Sequence, residues 1–265
     1  MSFWLNQPQA FSWQGRALLT TGLALFSGRA GDNRPHRHYA VQLALAETGE
    51  VRLTGADGRQ HAGRFVVCAA DTVHCLEPTE EEIVLVYLEP TSTIGAAAQK
   101  KVDGISIMEI SPRPDLVRAL RKAIVDGTPK AAETLLQDFF GTDNSTVRHS
   151  LDPRLAAFID SAACQGVPPS LAAAARQIAL SPSRFSHLFS TEMGIAYSAF
   201  RKWRKLLATL TNVANGAKLT AAAHHGGFAD SAHFSRTFKS TFGLTPSAAL
   251  FHMRLSAAPR KTNAR

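Results

Sequence analysis

Short apolar runs separated by turn residues mark the first third of the chain. Residues 17–21, 40–45, 51–54, 64–68 and 83–88 are rich in Val, Leu and Ile. Each is too short for a stable helix, and they recur at intervals of roughly 10–18 residues, the rhythm of a small all-β barrel or sandwich. The period then changes. Over 114–126 and 129–140 the apolar residues fall at helical spacing: Leu116, Leu120 and Ile124, then Leu135, Leu136 and Phe139. This predicts an antiparallel helix pair broken at Gly127-Thr128-Pro129. A polar connector over 141–146 follows, and everything beyond Asp152 reads as helical.

The helical half repeats one grammar. Ser170 caps a helix over 171–178, with Ala174 and Ala175 small enough for close contact. After a break at Ala179-Leu180, Ser181 is a good N-cap and Pro182 occupies the first helical position. Phe185, Leu188 and Phe189 turn inward, leaving Ser183, Arg184, Ser186, His187 and Ser190 outside. The pattern returns with Leu219, Ala222 and Ala223, a break over 224–228, and Asp230 capping a helix whose Phe234, Phe238 and Phe242 face inward. Ser231, Ala232, His233, Ser235, Arg236 and Lys239 are left outside. A helix between the units carries Phe200, Trp203, Leu207 and Leu210 on one stripe and Arg201, Lys202, Arg204 and Lys205 on the other. A short helix, a tight turn and a second helix with a small polar and basic outer face describe a helix-turn-helix.

Charge separates the halves. Residues 1–145 hold 14 Lys/Arg against 17 Asp/Glu, and residues 146–265 hold 15 against 4. The basic half carries the charge expected of a polyanion partner, because each cation near a phosphate releases condensed counterions. With 265 residues, 45% hydrophobic and 19% charged, the chain is globular rather than disordered. No apolar run approaches a membrane span and the N-terminus lacks a signal-peptide pattern. Three scattered cysteines, Cys68, Cys75 and Cys164, fit a reducing compartment. The expectation is a cytoplasmic protein with no membrane partner.

The basic half resembles the AraC/XylS family of bacterial transcription regulators. The resemblance rests on the run from Gly227 to Lys239, continuing Phe242-Gly243-Leu244-Thr245-Pro246, and on Leu180-Ser181-Pro182-Ser183-Arg184-Phe185-Ser186 with Leu188-Phe189 and Gly194. It covers about 152–252. Ala179 stands where the family often has Gly, and Ala249-Leu250 where it commonly has Tyr-Arg. The resemblance implies two helix-turn-helix units held at fixed separation, each placing its second helix in the major groove. DNA contacts would then come from Ser183, Arg184, Ser186, His187, Ser231, Ala232, His233, Ser235 and Arg236, with Lys202, Arg204, Lys205 and Lys239 on phosphates. Arg236 has the best chemistry for guanine, since a guanidinium donates twice to O6 and N7.

In the acidic half His36 and His38 alternate, so both rings face one side of a strand, and His74 follows near the start of another. Three inward imidazoles suit a divalent metal. Residues 15–90 resemble the two cupin motifs, through His36-Arg37-His38, Gln42 and Gly49, then Gly63, Asp71 and His74. Gln42 stands where metal-binding cupins usually carry Glu, and a neutral amide weakens a divalent site. His36, His38, Gln42 and His74 are therefore expected to line an effector pocket with no cofactor, a divalent metal at His36, His38 and His74 being the lesser alternative.

The sequence thus predicts an α+β protein: a cupin-like barrel over 1–110, a helical connector over 111–148 that could dimerise, an all-α domain with two helix-turn-helix units over 149–256, and a basic tail over 257–265. Its expected role is sequence-specific, non-enzymatic regulation of transcription. Double-stranded DNA is the main partner, with RNA polymerase, a small-molecule effector and a second copy of the chain as further candidates. The alternatives are a metal-dependent cupin enzyme with a basic accessory domain and an architectural DNA binder without sequence preference.

Overall fold

The computed structural model describes residues 11–142 and 151–257, Thr21 and Asp103 excepted. The chain enters through β1 (Gln14–Leu19), β2 (Leu23–Arg29), β3 (Val41–Ala46), β4 (Val51–Gly55), β5 (Gln60–Gly63), β6 (Phe65–Cys68), β7 (His74–Leu76) and β8 (Glu82–Leu88). Helix α1 (Thr93–Lys101) and strand β9 (Ile107–Glu109) follow, then α2 (Pro114–Asp126) and α3 (Pro129–Phe140). The remainder is α4 (Pro153–Gln165), α5 (Leu171–Gln177), α6 (Pro182–Met193), α7 (Tyr197–Ala214), α8 (Leu219–His225), α9 (Ser231–Phe242), α10 (Pro246–Leu250) and a last strand, β10 (Met253–Ala257). The α+β architecture expected from the sequence is present: a sheet-rich first half and a helical second half with two helix-turn-helix units.

The strands form a seven-stranded sheet in the order β10-β1-β2-β8-β3-β6-β9 and a three-stranded sheet in the order β5-β4-β7. The large sheet is buried on both faces, so its central strands read as unbroken apolar runs rather than alternating ones. One face, with Leu25, Leu43, Val67 and Val86, packs against α1, α2 and α3 through Ile94, Val117, Leu120 and Leu136. The pair expected to act as a connector therefore lies on the sheet as part of the first unit. The other face, with Phe26, Ala44, Val66 and Leu85, looks toward the barrel interior. That interior core runs without a break into the helical half, through Tyr197, Phe200, Trp203 and Leu207.

The expectation that everything past Asp152 is helical fails at β10. This strand pairs in parallel with β1, Gly15 opposite Met253 through Leu19 opposite Ala257, and so adds a C-terminal edge to the N-terminal sheet. Its alternation of Met253, Leu255 and Ala257 with Arg254 and Ser256 is the period of a strand with one covered face. The helical domain is thus tied back to the barrel, and the described part of the expected basic tail belongs to a sheet.

Truncation after His252 removes three half-buried apolar side chains, Met253, Leu255 and Ala257, and uncovers the β1 edge. At about 25 cal/mol per Å² of apolar surface the expected loss is about 1–3 kcal/mol. It should appear as a lower urea midpoint.

Candidate nucleic-acid interface and barrel cavity

Both helix-turn-helix units are built as local chemistry dictates. Ser181 Oγ accepts from Arg184 N at 3.3 Å and opens α6, and Asp230 Oδ1 accepts from His233 N at 2.6 Å and opens α9. Pro182 stands in the first turn of α6, where its missing N–H costs nothing. Phe185 and Phe189 of α6 and Phe234 of α9 are fully buried, Phe238 nearly so, and Leu188 and Phe242 half-buried. These inward residues orient each second helix and leave its opposite face in solvent.

On that outer face Ser183, Arg184 and His187 of α6 and Ala232, His233, Arg236 and Lys239 of α9 are exposed. Ser186, Ser231 and Ser235 are half-buried, and the Ser235 hydroxyl donates to the Ser231 carbonyl. Lys202 is exposed on α7. Lys205 is half-buried, its Nζ donating to the Gly227 carbonyl at 2.5 Å, which commits its charge to the second turn.

Arg204 must be corrected. Expected on the phosphate-facing side, it is 3% exposed; its guanidinium meets Glu89 Oε2 at 3.3 Å and donates to the Ala162 carbonyl at 2.7 Å. In this arrangement it holds the helical half to the barrel and cannot touch DNA. Burial pushes the Glu89 carboxyl up, and Arg204 pulls it back toward ionisation.

The first turn shows what Ala179 costs. Its φ is +55°, the left-handed region where an L side chain is strained. Gly227 takes the matching place in the second turn at φ +79°. The turn is therefore kept and the strain accepted.

Inside the barrel, His36, His38 and His74 converge, one nitrogen from each lying within 4.8 Å of the others. All three rings are buried. His36 and His38 do not lie on a regular strand as expected; a single bridge between His36 and His74 brings the segments together. Each ring has its Nδ1 at a backbone carbonyl: His36 at Arg34 (2.8 Å), His38 at Ala40 (2.9 Å) and His74 at Thr72 (2.9 Å). A carbonyl only accepts, so each Nδ1 carries the proton and each Nε2 of a neutral ring is a lone pair. Gln42 Oε1 lies 2.9 Å from His38 Nε2 and 3.1 Å from His74 Nε2. Two acceptors cannot bond a third. The chemistry therefore selects the exchanged amide, its NH2 giving one hydrogen to each ring. A glutamate here would meet two lone pairs unless both rings were protonated. The same three lone pairs are the donor set a divalent ion would use, with the carbonyls orienting the rings, but the set carries no negative charge.

Next to this knot lies a cavity of about 90 Å3 at the seam between the halves. The barrel contributes Phe26, His36, Gln42, Leu85 and Tyr87, and the C-terminal half contributes Trp203, Leu207, Phe238 and Phe242 from its helices and Leu255 from β10, among others. His36 and Gln42 are thus the predicted pocket residues that reach it; His38 and His74 stand behind, in the knot. Gly243 meets the barrel at the seam: Arg34 N donates to its carbonyl at 2.9 Å, and a Cβ there would stand 2.2 Å from Arg34 O. Sequence reasoning missed Glu89, Tyr87 and Trp203, whose roles arise only when the two halves meet.

Comparison with known proteins agrees with this architecture. Residues 174–250 match the helix-turn-helix domain family. The arabinose operon regulatory protein of Salmonella typhimurium (strain LT2) is 30% identical over 128 residues, 44% of this chain and 44% of its own length. That of Escherichia coli (strain K12) is 35% identical over 82 residues, 29% and 27% of the two chains. The match thus spans less than half the length of these curated relatives. Among solved structures, ToxT from Vibrio cholerae O395 superposes with a TM-score of 0.56 at 13% identity, covering 87% of this chain and 98% of that one. ToxT from strain SCE256, solved with an unsaturated fatty acid bound, gives 0.55 at 13% identity, covering 88% and 96%. The C-terminal part of the chain therefore matches a helix-turn-helix domain, and the chain shares its two-part fold with ToxT.

Two outcomes are expected. Ala179→Gly relieves the left-handed turn and should raise stability by about 0.5–1 kcal/mol in urea denaturation. The second concerns pH. Burial first, then the charge of His38, holds His36 down to about 3, against the opposing Arg34 hydrogen bond. Burial likewise lowers His38 and His74. The unfolded rings take protons near the ordinary histidine value of about 6.5 while the folded ones do not. Metal-free protein should therefore hold its full stability above about pH 6.5 and lose it progressively as pH falls toward 3. His36→Asn should flatten that slope.

Proposed function

We propose that the chain is a sequence-specific, DNA-binding transcription regulator whose barrel responds to a small molecule. The observation that carries this reading is the pair of capped second helices, α6 and α9. Each has an apolar stripe sunk in the core, and their outer faces carry exposed His187 and Arg236. Arg236 would read a guanine and His187 a base edge, while Arg184, Lys202 and Lys239 would neutralise phosphates and set register. Arg204 has no part in the contact while paired with Glu89. Ser183, Ser186, Ser231, Ala232, His233 and Ser235 complete the candidate surface. A regulator of this kind works in the cytoplasm, and among the described residues no helix is long and apolar enough to cross a membrane.

The barrel is read as the effector-sensing half, by likeness of fold to a protein crystallised with a fatty acid. A divalent metal at His36, His38 and His74, and with it the enzyme alternative, is disfavoured by Gln42, a neutral amide that already serves two of the rings. Metal analysis of purified protein separates these readings, near-stoichiometric iron, manganese or zinc favouring the metal.

Arg236→Ala should cost about 1–3 kcal/mol on a preferred duplex and relax preference at one base pair. Lys202→Ala should weaken all sequences alike and flatten the salt dependence by about one counterion. Competition with random duplex at fixed salt checks both. Equal affinity for every sequence would instead support the architectural binder.

A further inference from the structure

The cavity at the seam has a chemical bias that points to a ligand class. Twenty-two residues line it, and none is Asp, Glu, Lys or Arg. A buried carboxylate or ammonium entering this space would leave its hydration shell without finding a counter-charge, a cost of several kcal/mol. Yet the wall is not wholly inert. Trp203, 1% exposed, lines the cavity, and its indole Nε1–H has no hydrogen-bond partner among the described residues. Trp13, the other cavity-lining tryptophan, already donates to the Asp32 carbonyl at 3.1 Å. An unpaired buried donor beside an apolar void is a place for an acceptor on an otherwise apolar molecule.

We propose that this cavity binds a small, uncharged, mainly apolar molecule carrying one hydrogen-bond acceptor for the Trp203 indole N–H, of the ketone, ester or ether class, and excludes carboxylates. The volume sets the scale. An apolar cavity of about 150 Å3 holds benzene, so about 90 Å3 suits a ligand of a few heavy atoms, or a larger one that moves the wall. The ligand would touch barrel residues such as Phe26 and Leu85 on one side and Leu207 and Phe242 on the other. It would therefore favour the docked arrangement of the two halves over any arrangement in which they part, by its differential affinity for the two. This inference rests on reading the barrel as the effector-sensing half. Its test measures no DNA binding, so it can fail while the DNA-binding reading stands, and the reverse.

The test uses a matched pair of four-heavy-atom probes, acetone and acetate, on the full chain at neutral pH. The indole N–H resonance of Trp203, assigned by its disappearance in Trp203→Phe, should shift saturably with the ketone and stay fixed with the carboxylate. In Trp203→Phe, which keeps an aromatic wall and loses the donor, ketone affinity followed on leucine methyl resonances should fall about three- to tenfold, the worth of one hydrogen bond. If that variant does not fold, the Trp203 resonance is assigned by elimination with Trp4→Phe and Trp13→Phe, and the wild-type titration decides alone. Shifts from the carboxylate as large as those from the ketone, or no saturable shift from either, would overturn the proposal.

Discussion

One helix has to satisfy two cores. α7 buries Tyr197 and Phe200 against Phe185 and Phe189 of the first helix-turn-helix unit, while Trp203 and Leu207 meet the barrel seam. A helix hydrophobic on two faces has little room for charge, and Arg204, between those faces, is carried inside with them. It is tolerated there because Glu89 of the barrel and the Ala162 carbonyl receive its guanidinium. Such a pair contributes little net stability, since desolvation consumes most of the attraction, but leaving either partner alone costs about 3–5 kcal/mol. Its effect is to select one docking geometry. The position of α6 and α9 relative to the barrel, the shape of the seam cavity and the reach of β10 all follow from how α7 is seated.

The barrel interior has its own constraint, set by tautomers. Three backbone carbonyls fix the protons of three histidines on Nδ1, and the Nε2 lone pairs of His38 and His74 both face Gln42 in a buried interior. Gln42 lies opposite Cys68 and Tyr87 in the strand register, which puts its amide where two of those lone pairs end. The amide is the one uncharged side chain able to give two hydrogens from one atom. The substitution that weakens a metal site thus also makes the metal-free interior self-consistent, and it leaves the neighbouring cavity without charge.

Much of this was legible in the sequence because it is local. α2 and α3 begin and end where their apolar spacing, prolines and glycines say, and Ser170, Ser181 and Asp230 cap the helices they were expected to cap. The convergence of His36, His38 and His74 also follows from motif spacing. What was hidden is what depends on the meeting of two halves. Strand β2 is not among the apolar runs that the pattern marks as strands, because Gly22 and Gly28 bracket it, yet Gly28 is needed where the β1 backbone passes: a Cβ there would stand 2.0 Å from Gln14 O. Arg204 was assigned outward on its charge, although it lies four residues after Phe200 and three before Leu207, squarely on the apolar arc. Strand β10 carries a period-two signal too short to stand out after the long helix-forming stretch from α4 to α10.

The central claim is that α6 and α9 read one duplex together, held at fixed separation by α7. Selection of bound duplexes from a random library, followed by sequencing, tests it most directly. The account expects a bipartite preference, two short elements on one face of the duplex with centres about one helical turn, roughly 10–10.5 base pairs, apart. A single uninterrupted element, two elements at variable spacing, or no enrichment at all would contradict it.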